Sequence, residues 1–286
     1  MSRDEHAVLI RIENLTHIYQ PANAMPVTAL RGVSLHIRAG EYVALIGANG
    51  SGKTTLARHL NALLLPDEGD VWVDGLNTRD RANHRAIRAT VGMVFQSPAD
   101  QIVATVVQED VAFGPENLGV PQPELQARVR EALTRVGMWE CRERPPHLLS
   151  PGQQQRVAIA ATLAMRPRCL VLDEATAMLD PAGRRDLWQI VDDLHAGGMT
   201  IVAITHDMDE AARATRVIVL AAGRVALDGP PADVFADAER LMALGVALPT
   251  VPELVRLLRQ RCTHLALPAD VITASQLAAA LRGWRR

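Results

Sequence analysis

Short apolar runs alternate with helical patterns along most of the chain. A continuous apolar run is typical of a buried strand, whereas apolar residues three and four positions apart are typical of a helix with one buried face. Alternation of the two predicts an α/β fold with a partly parallel sheet. The predicted elements are a strand over 41–46, a helix over 53 to about 64 that Pro66 ends, a helix from Pro181 to Gly197, a strand over 200–205 and a hairpin over 217–227.

Two parts of the chain depart from this alternation. Residues 97 to about 165 are mostly helical in pattern, with a predicted helix over 123–136, and we expect them to form a helical subdomain. From Pro230 onward, short helical patterns are separated by prolines. We therefore expect a main domain over 1–229 and a small C-terminal extension over 230–286.

The composition is that of a globular protein and excludes disordered and fibrous classes. Hydrophobic residues make up 48% of the 286 positions and charged residues 22%, which is close to globular averages. The net charge is -2 and no long block of one sign occurs, so we expect no nucleic-acid partner. No apolar run approaches the ~20 residues that cross a bilayer, and we expect no membrane-spanning helix.

A glycine-rich stretch joins the first predicted strand to the first predicted helix. Its sequence over 47–54, GANGSGKT, matches the P-loop pattern in the context that this pattern requires. Successive amides and the helix N-terminus form a nest for phosphates, Lys53 can neutralise the β- and γ-phosphates, and the Thr54 hydroxyl can bind Mg²⁺. We therefore predict a nucleotide site whose contacts are Asn49, Gly50, Ser51, Gly52, Lys53, Thr54 and Thr55.

Two adjacent carboxylates, Asp173 and Glu174, follow the apolar run over 169–172. A strand that ends there places them at the carboxyl edge of the sheet, where α/β proteins bind ligands. Asp173 would hold Mg²⁺ through water. Glu174 can orient and polarise the attacking water, because phosphoryl transfer depends on positioning and electrostatic help. A buried strand that merely ends in solvated acids is the alternative, and the P-loop makes it the weaker one.

Several signals mark the start of a helix at Ser150. Ser150 and Gln153 have the spacing of a capping box, and Pro151 occupies the first helical position. Such a helix end presents amide groups and a positive dipole end that suit a phosphate. Taken by itself, the segment is better explained as an ordinary capped helix.

Together, these motifs resemble the ATP-binding subunit of an ABC transporter over residues 8–229. The matching features, in matching order, are the P-loop, Gln96 after an apolar run, the signature over 149–153, Asp173 with Glu174, Leu179 with Asp180, and His206. Segments 94–106 and 110–117 further resemble the energy-coupling factor type, which drives uptake of vitamins, cobalt or nickel. The C-terminal extension is similar to that of the same type.

The resemblance implies that two such subunits enclose two molecules of ATP with Mg²⁺. Each ATP would contact the P-loop of one subunit and Ser150, Gly152 and Gln153 of the other. Hydrolysis would then require a dimer. The roles implied for single residues are adenine stacking for Tyr19, contact with Mg²⁺ or the attacking water for Gln96, the subunit contact for Asp180, and the γ-phosphate contact for His206.

The resemblance also implies partners and a location. The partners are a second ATPase subunit, identical or related, a transmembrane coupling protein and a membrane substrate-binding subunit, and the chain would be peripheral at the cytoplasmic face of the membrane. The alternative is a soluble ABC-type ATPase with a regulatory or nucleic-acid-related role. A single nucleotide domain and the lack of a basic stripe count against it. Glu174 and His206 count against a nucleotide binder without catalysis.

One position departs from the family signature, which usually has glycine where this chain has Pro151. Proline removes one N–H from a helix end that faces phosphate, although the first helical position tolerates it best. We therefore expect the site opposite Pro151 to close on ATP with lower activity.

Overall fold

The computed structural model describes residues 8–22, 25–262, 267–268 and 270–284. The strands are β1 (Val8–Tyr19), β2 (Val27–Arg38), β3 (Tyr42–Ile46), β4 (Glu68–Val73), β5 (Leu76–Asn77), β6 (Val91–Val94), β7 (Cys169–Asp173), β8 (Thr200–Ile204), β9 (Arg216–Ala221) and β10 (Arg224–Gly229). The α-helices are α1 (Lys53–Leu60), α2 (His84–Thr90), α3 (Val107–Asn117), α4 (Gln122–Arg135), α5 (Pro151–Ala164), α6 (Pro181–Ala196), α7 (Met208–Ala211), α8 (Pro231–Ala236), α9 (Ala238–Ala243), α10 (Thr250–Arg261) and α11 (Ala274–Trp284).

The central sheet has the strand order β10-β9-β3-β8-β7-β6. Strands β9, β3, β8, β7 and β6 pair in parallel, and β10 pairs antiparallel with β9. The predicted α/β fold with a partly parallel sheet and a terminal hairpin is therefore confirmed. Parallel order brings the carboxyl ends of β3, β6, β7 and β8 to one edge, where the predicted phosphate-binding residues begin.

Strands β3, β7 and β8 are buried at every position, as expected for a sheet covered on both faces. Successive side chains of β3 enter two different cores because a strand alternates its faces. Tyr42, Ala44 and Ile46 pack with helices of the chain. Val43 and Leu45 pack towards a second sheet. This two-sided core fixes the edge of the central sheet rigidly.

The second sheet is antiparallel, with the strand order β2-β1-β4-β5. This sheet was not predicted from the sequence. The ladder between β1 and β2 contains several register shifts, so the alternation of apolar and polar positions is interrupted and the period of two is weak. The buried face of this sheet covers Leu56 and Leu60 of α1, which holds the start of that helix against the central sheet.

Helix α1 is shorter than predicted. It ends at Leu60, and the expectation that it continues to about residue 64 was wrong. Ala62 has φ of 55°, a left-handed conformation that stops a helix. The amides of Leu63 and Leu64 then turn back to the carbonyl of Arg58, at 2.9 and 3.0 Å. This local capping ends α1 before Pro66 has any effect.

Helices α3, α4 and α5 pack against one another, and the helix predicted over 123–136 is α4. Farther along, α8 and α9 join the main core through Val234, Phe235 and Leu241. Helices α10 and α11 share a small separate core that includes Val255 and Leu277. The limits of the helical subdomain and of the C-terminal extension stay predictions. Of the described helices, none combines the length and apolar character needed to cross a bilayer.

Candidate nucleotide-binding and catalytic site

The predicted phosphate-binding loop connects the end of β3 to the start of α1. Gly47 and Gly52 have φ of 148° and 105°, values that favour glycine. A Cβ on Gly47 would lie 2.2 Å from the carbonyl oxygen of Leu220, and one on Gly52 would lie 2.7 Å from that of Ala29. The loop is thus clamped between the two sheets. Because no side chain caps α1 at Gly52, the first amides of the helix can point to an anion.

The ammonium group of Lys53 lies inside this loop. Only 5% of the residue is exposed, and Nζ donates to the carbonyl oxygens of Gly47 and Ala48 at 2.9 and 3.1 Å. Burial lowers the pKa of Lys53, while the Glu174 and Asp173 carboxylates act in the opposite direction. The loop therefore holds a cation where it can reach phosphate oxygens.

Thr54 and Asp173 bring together two oxygen atoms that could bind a metal ion. Thr54 Oγ1 donates to Asp173 Oδ1 at 3.2 Å, although the residues are far apart in sequence. Burial chiefly raises the pKa of Asp173, and the nearby Glu174 adds to this, while the hydrogen bond from Thr54 opposes it. In the described part of the chain, no group of three or more His, Cys, Asp or Glu side chains is arranged so that it could hold a metal ion. A hydroxyl with one carboxylate fits Mg²⁺, which keeps several waters and takes few protein ligands.

Glu174 and His206 meet in front of neighbouring strands. Glu174 follows β7 and His206 lies two residues after β8, and His206 Nε2 is 2.9 Å from Glu174 Oε1. Glu174 has φ of 51°, and its amide donates to the carbonyl of Ile204 at 3.0 Å. A left-handed conformation is unfavourable for a glutamate and is typical of residues that a functional site holds in place. This geometry aims the carboxylate at the histidine.

Tyr19 lies at the end of β1, with 37% of its surface exposed. Its hydroxyl is 3.2 Å from Thr55 Oγ1, and its ring contacts the edge of His17 with centroids 4.7 Å apart. The aromatic ring is therefore tied to the first turn of α1 and stays accessible. Such a ring can stack on a base bound next to the phosphate loop.

Gln96 is exposed and lies two residues beyond β6, beside the strand that ends in Asp173. Its side chain makes no hydrogen bond to a described residue, so the structure places Gln96 at the right edge of the sheet without joining it to Thr54 or Asp173. The segment around it is well anchored. Gln101 accepts from the Phe95 amide and donates to the Met93 carbonyl, each at 3.1 Å.

The predicted signature lies at the exposed start of α5. The capping box is confirmed, since the Gln153 amide donates to Ser150 Oγ at 3.3 Å and the Ser150 amide donates to Gln153 Oε1 at 3.0 Å. Gly152 lies against Leu179, whose side chain would be 3.7 Å from a Cβ at that position. Asp180 is exposed and caps α6 through the Gly183 amide at 2.8 Å. No hydrogen bond joins this signature to the P-loop within the described residues.

One buried carboxylate beside the site, Glu210, was not predicted from the sequence. It is 6% exposed, and its Oε2 accepts hydrogen bonds from Thr205 at 2.6 Å and from Thr176 at 3.0 Å. Thr205 immediately precedes His206, and Thr176 follows Glu174 by two residues. The sequence carries no clear signal for Glu210, since it is one of two adjacent acidic residues in this short helix. Glu210 thus joins the two loops that carry Glu174 and His206.

The chain is similar to known proteins over most of its length. The family model for the ABC transporter matches residues 30–177. The chain is 59% identical over 260 residues to the energy-coupling factor transporter ATP-binding protein EcfA1 of Symbiobacterium thermophilum, covering 90% of each chain. It is 47% identical to the EcfA1 of Caldanaerobacter subterraneus subsp. tengcongensis, covering 95% of this chain and 98% of the relative.

Solved structures give the same answer. CbiO1 from Clostridium perfringens, described as part of the ABC transporter complex CbiONQ, aligns with a TM-score of 0.73 and 34% identity over 90% of this chain and 96% of its own. The dimeric ATP-binding cassette MJ0796 bound to ADP and Pi aligns with a TM-score of 0.70 and 30% identity over 78% of this chain and 98% of its own. These relatives do not favour the soluble regulatory alternative. The chain belongs to the ABC transporter family, as an ATP-hydrolysing, ATP-binding subunit of the energy-coupling factor type.

Proposed function

We propose that this chain closes on ATP with a second ATPase subunit and thereby drives uptake of a vitamin or a transition-metal ion through a membrane partner. One observation carries the proposal. Three separate segments, at the start of α1, at the end of β7 and just beyond β8, bring Lys53, Thr54, Asp173, Glu174 and His206 together at the carboxyl edge of one parallel sheet. That edge is where α/β proteins bind their ligands.

The phosphate-binding loop holds the nucleotide. The N-terminal amides of α1 and the Lys53 ammonium bind the β- and γ-phosphates, and the accessible Tyr19 ring stacks on the adenine. The glycines let the backbone approach the phosphates closely because they carry no Cβ. The residues proposed to contact ATP within this subunit are Tyr19, Asn49, Gly50, Ser51, Gly52, Lys53, Thr54 and Thr55.

The residues that would hold Mg²⁺ are Thr54 by direct contact, Asp173 through water, and Gln96. When bound, the cation supplies positive charge that offsets the charge developing on the transferred phosphoryl group. Asp173 fits this role because it is buried, and a cation beside it would lower its raised pKa. Gln96 would complete the site from the neighbouring strand.

Hydrolysis requires a water molecule in line with the γ-phosphate. Glu174 accepts a hydrogen bond from that water and orients it. The hydrogen bond from the Glu174 amide to the Ile204 carbonyl holds the backbone from which the carboxylate side chain extends. His206 holds the carboxylate through its 2.9 Å contact and, being 42% exposed in its side chain, can also reach the γ-phosphate. The pair therefore positions both reacting groups.

A second subunit completes each site. Ser150, Gly152 and Gln153 lie at an exposed helix start that makes no hydrogen bond to the P-loop of its own chain among the described residues. They are thus available to an ATP molecule bound by a partner subunit, with Asp180 at the contact between subunits. MJ0796, which this chain resembles, is described as a dimeric ATP-binding cassette. Pro151 removes one amide from this helix start and weakens its hold on phosphate.

The surface for the transmembrane coupling protein lies next to Gln96. A groove of about 580 Å³ includes Val103 and Phe113, which are 64% and 53% exposed. Buried Asp110 accepts from the Val103 and Ala104 amides at 2.8 and 3.1 Å, so this segment moves together with α3. An exposed apolar groove tied to the catalytic edge suits a helix of a membrane partner. CbiO1 is described as part of such a complex.

The partners also determine the location and the cargo. With a transmembrane coupling protein and a membrane substrate-binding subunit, the chain is peripheral at the cytoplasmic face of the membrane. The substrate-binding subunit, not this chain, selects the transported solute.

The test is to purify the tagged full-length chain from its native membrane in mild detergent, identify the co-purifying proteins and assay ATP hydrolysis. We expect a multispanning protein and a small membrane substrate binder. Phe113→Asp should lose both while ATP binding persists. Met242→Asp, at an exposed position on α9, is the matched control and should retain both. Recovery of soluble partners alone, with ATPase activity intact, would contradict the transport proposal.

A further inference from the structure

The catalytic histidine is followed at once by a very short helix. Helix α7 has four residues, and Asp207 caps it by accepting from the amides of Asp209 and Glu210 at 3.0 and 3.3 Å. Asp207 also accepts from Arg184 of α6 at 3.1 Å. A single helical turn is unstable without outside contacts. The position of His206 therefore depends on what holds α7.

On its inner side, α7 is held by Glu210. This buried carboxylate accepts from Thr205 and Thr176 and so links the loops of His206 and Glu174. Those two bonds fix one end of the turn. They leave its outward face, which carries Asp209, to be held by something else.

On its outer side, α7 is held by the C-terminal extension. Asp209 Oδ1 accepts from the Thr250 amide at 2.8 Å, and Oδ2 accepts from the Thr250 hydroxyl at 2.5 Å. Asp209 thereby satisfies the first amide of α10, whose own N-cap residue is Pro249 and gives no side-chain bond. The two residues are 41 positions apart in the chain.

The same extension also reaches the phosphate-binding loop. A Cβ on Gly245 would lie 3.6 Å from the Cβ of Ala48, which is ordinary contact distance. Between these two contacts, Leu248 lines a cavity of about 470 Å³ together with Glu174 and His206. Residues 245–250 thus form one wall of the catalytic site.

We propose that the C-terminal extension is a positioning element for ATP hydrolysis, in which Thr250 binds Asp209 and so holds His206 against Glu174. The inference rests on the proposed catalytic roles of His206 and Glu174. It concerns positioning only, since neither Thr250 nor Asp209 touches a reacting atom. Small misplacements of positioned groups reduce the rate of the chemical step strongly, whereas nucleotide affinity depends on the P-loop and Tyr19.

The test compares variants of the full-length chain, purified with its co-purifying subunits, by steady-state ATPase kinetics and thermal unfolding. Asp209→Ala and Thr250→Val should each lower kcat by about ten- to 100-fold, since a misplacement of about 1 Å can cost roughly 100-fold, with KM for ATP unchanged. Thr250→Ser keeps the hydroxyl and should restore kcat. Because both residues are exposed, the double variant should fold and be no slower than Asp209→Ala alone. Glu253→Gln, on the same helix and paired with Arg256, is the control and should retain wild-type kinetics.

Two results would overturn the inference. One is a wild-type kcat in both Asp209→Ala and Thr250→Val. The other is a loss of kcat that only follows the loss of folded protein in thermal unfolding, with no rescue by Thr250→Ser. His206→Ala, assayed in parallel, distinguishes a failure of the proposed catalytic site from a failure of the positioning role. If it retains full activity, the proposed catalytic site is wrong; if it is inactive while Asp209→Ala is fully active, only the positioning role is wrong.

Discussion

Replacing Lys53 with Met separates nucleotide binding from folding. Met keeps an unbranched stem that can fill the same space, but it carries no ammonium. In the folded protein the change removes the donor to the Gly47 and Ala48 carbonyls, at about 1 kcal/mol for each bond. It also removes the free-energy cost of burying a charged ammonium group, the same burial that lowers the pKa of Lys53. The two effects oppose each other, and we expect the unliganded variant to melt close to the wild type.

The effect of Lys53→Met on ATP binding is larger than its effect on folding, and it can only weaken binding. Hydrogen bonds to charged groups contribute about 1.5–3 kcal/mol each, and Lys53 is placed to bind two phosphates. We therefore expect a loss of about 3 kcal/mol in binding, which weakens Kd roughly 100-fold. At an ATP concentration of about 100 times the wild-type Kd, stabilisation by ligand falls from about 2.7 to about 0.4 kcal/mol. At about 2 °C for each kcal/mol, the ATP-induced shift in Tm falls from about 5 °C to about 1 °C.

The assay is thermal unfolding of both proteins with and without ATP and Mg²⁺, supported by titration calorimetry. Arg128→Met is a matched control, because it removes a cation that pairs with Glu124 on the surface of α4 and should leave the ATP-induced shift unchanged. An undiminished shift in Lys53→Met would refute the assignment of Lys53 to phosphate. If the unliganded Lys53→Met variant has a Tm far below that of the wild type, the two opposing effects on folding do not cancel.

Three further predictions follow from single side chains. Glu174→Gln should bind ATP normally but lower turnover at least about 100-fold, and equal turnover would remove the assigned role. Pro151→Gly should raise ATP turnover about threefold by restoring an amide while lowering the free energy of unfolding by about 0.5–1 kcal/mol; unchanged turnover would show that Pro151 does not weaken the site. Burial lowers the pKa of His59 from 6.5 to about 4, so the unfolded chain takes up a proton first as the pH falls. The free energy of unfolding should therefore decrease as the pH falls from 6.5 to about 4, by up to roughly 3 kcal/mol. In denaturation measured as a function of pH, His59→Gln should reduce this decrease, whereas a substitution at an exposed histidine, His147→Gln, should not.

The fold class and the main chemical groups could be predicted because they depend on short segments. A P-loop, a capping box and a strand that ends in two carboxylates are each encoded within about eight residues, and the glycines of the loop are required by its own backbone. The order of such segments then implied a parallel sheet whose carboxyl edge gathers Thr54, Asp173 and Glu174.

Other features could not be predicted from short segments. The end of α1 is set by Ala62, which adopts a left-handed conformation although it is neither glycine nor asparagine, the residues that usually do so. The second sheet was missed because register shifts along β1 interrupt its alternating pattern. In both cases the local signal in the sequence was weak.

By itself, the sequence determined which residues are candidates for the chemistry, since each motif is a local pattern with a local physical cause. Only the tertiary structure decided how those residues are held. Glu210 joins Thr176 across 34 residues, and Asp209 joins Thr250 across 41, with no spacing rule that connects the partners. A side chain on one element meets another only when both pack on a common core, and that packing depends on the whole chain at once.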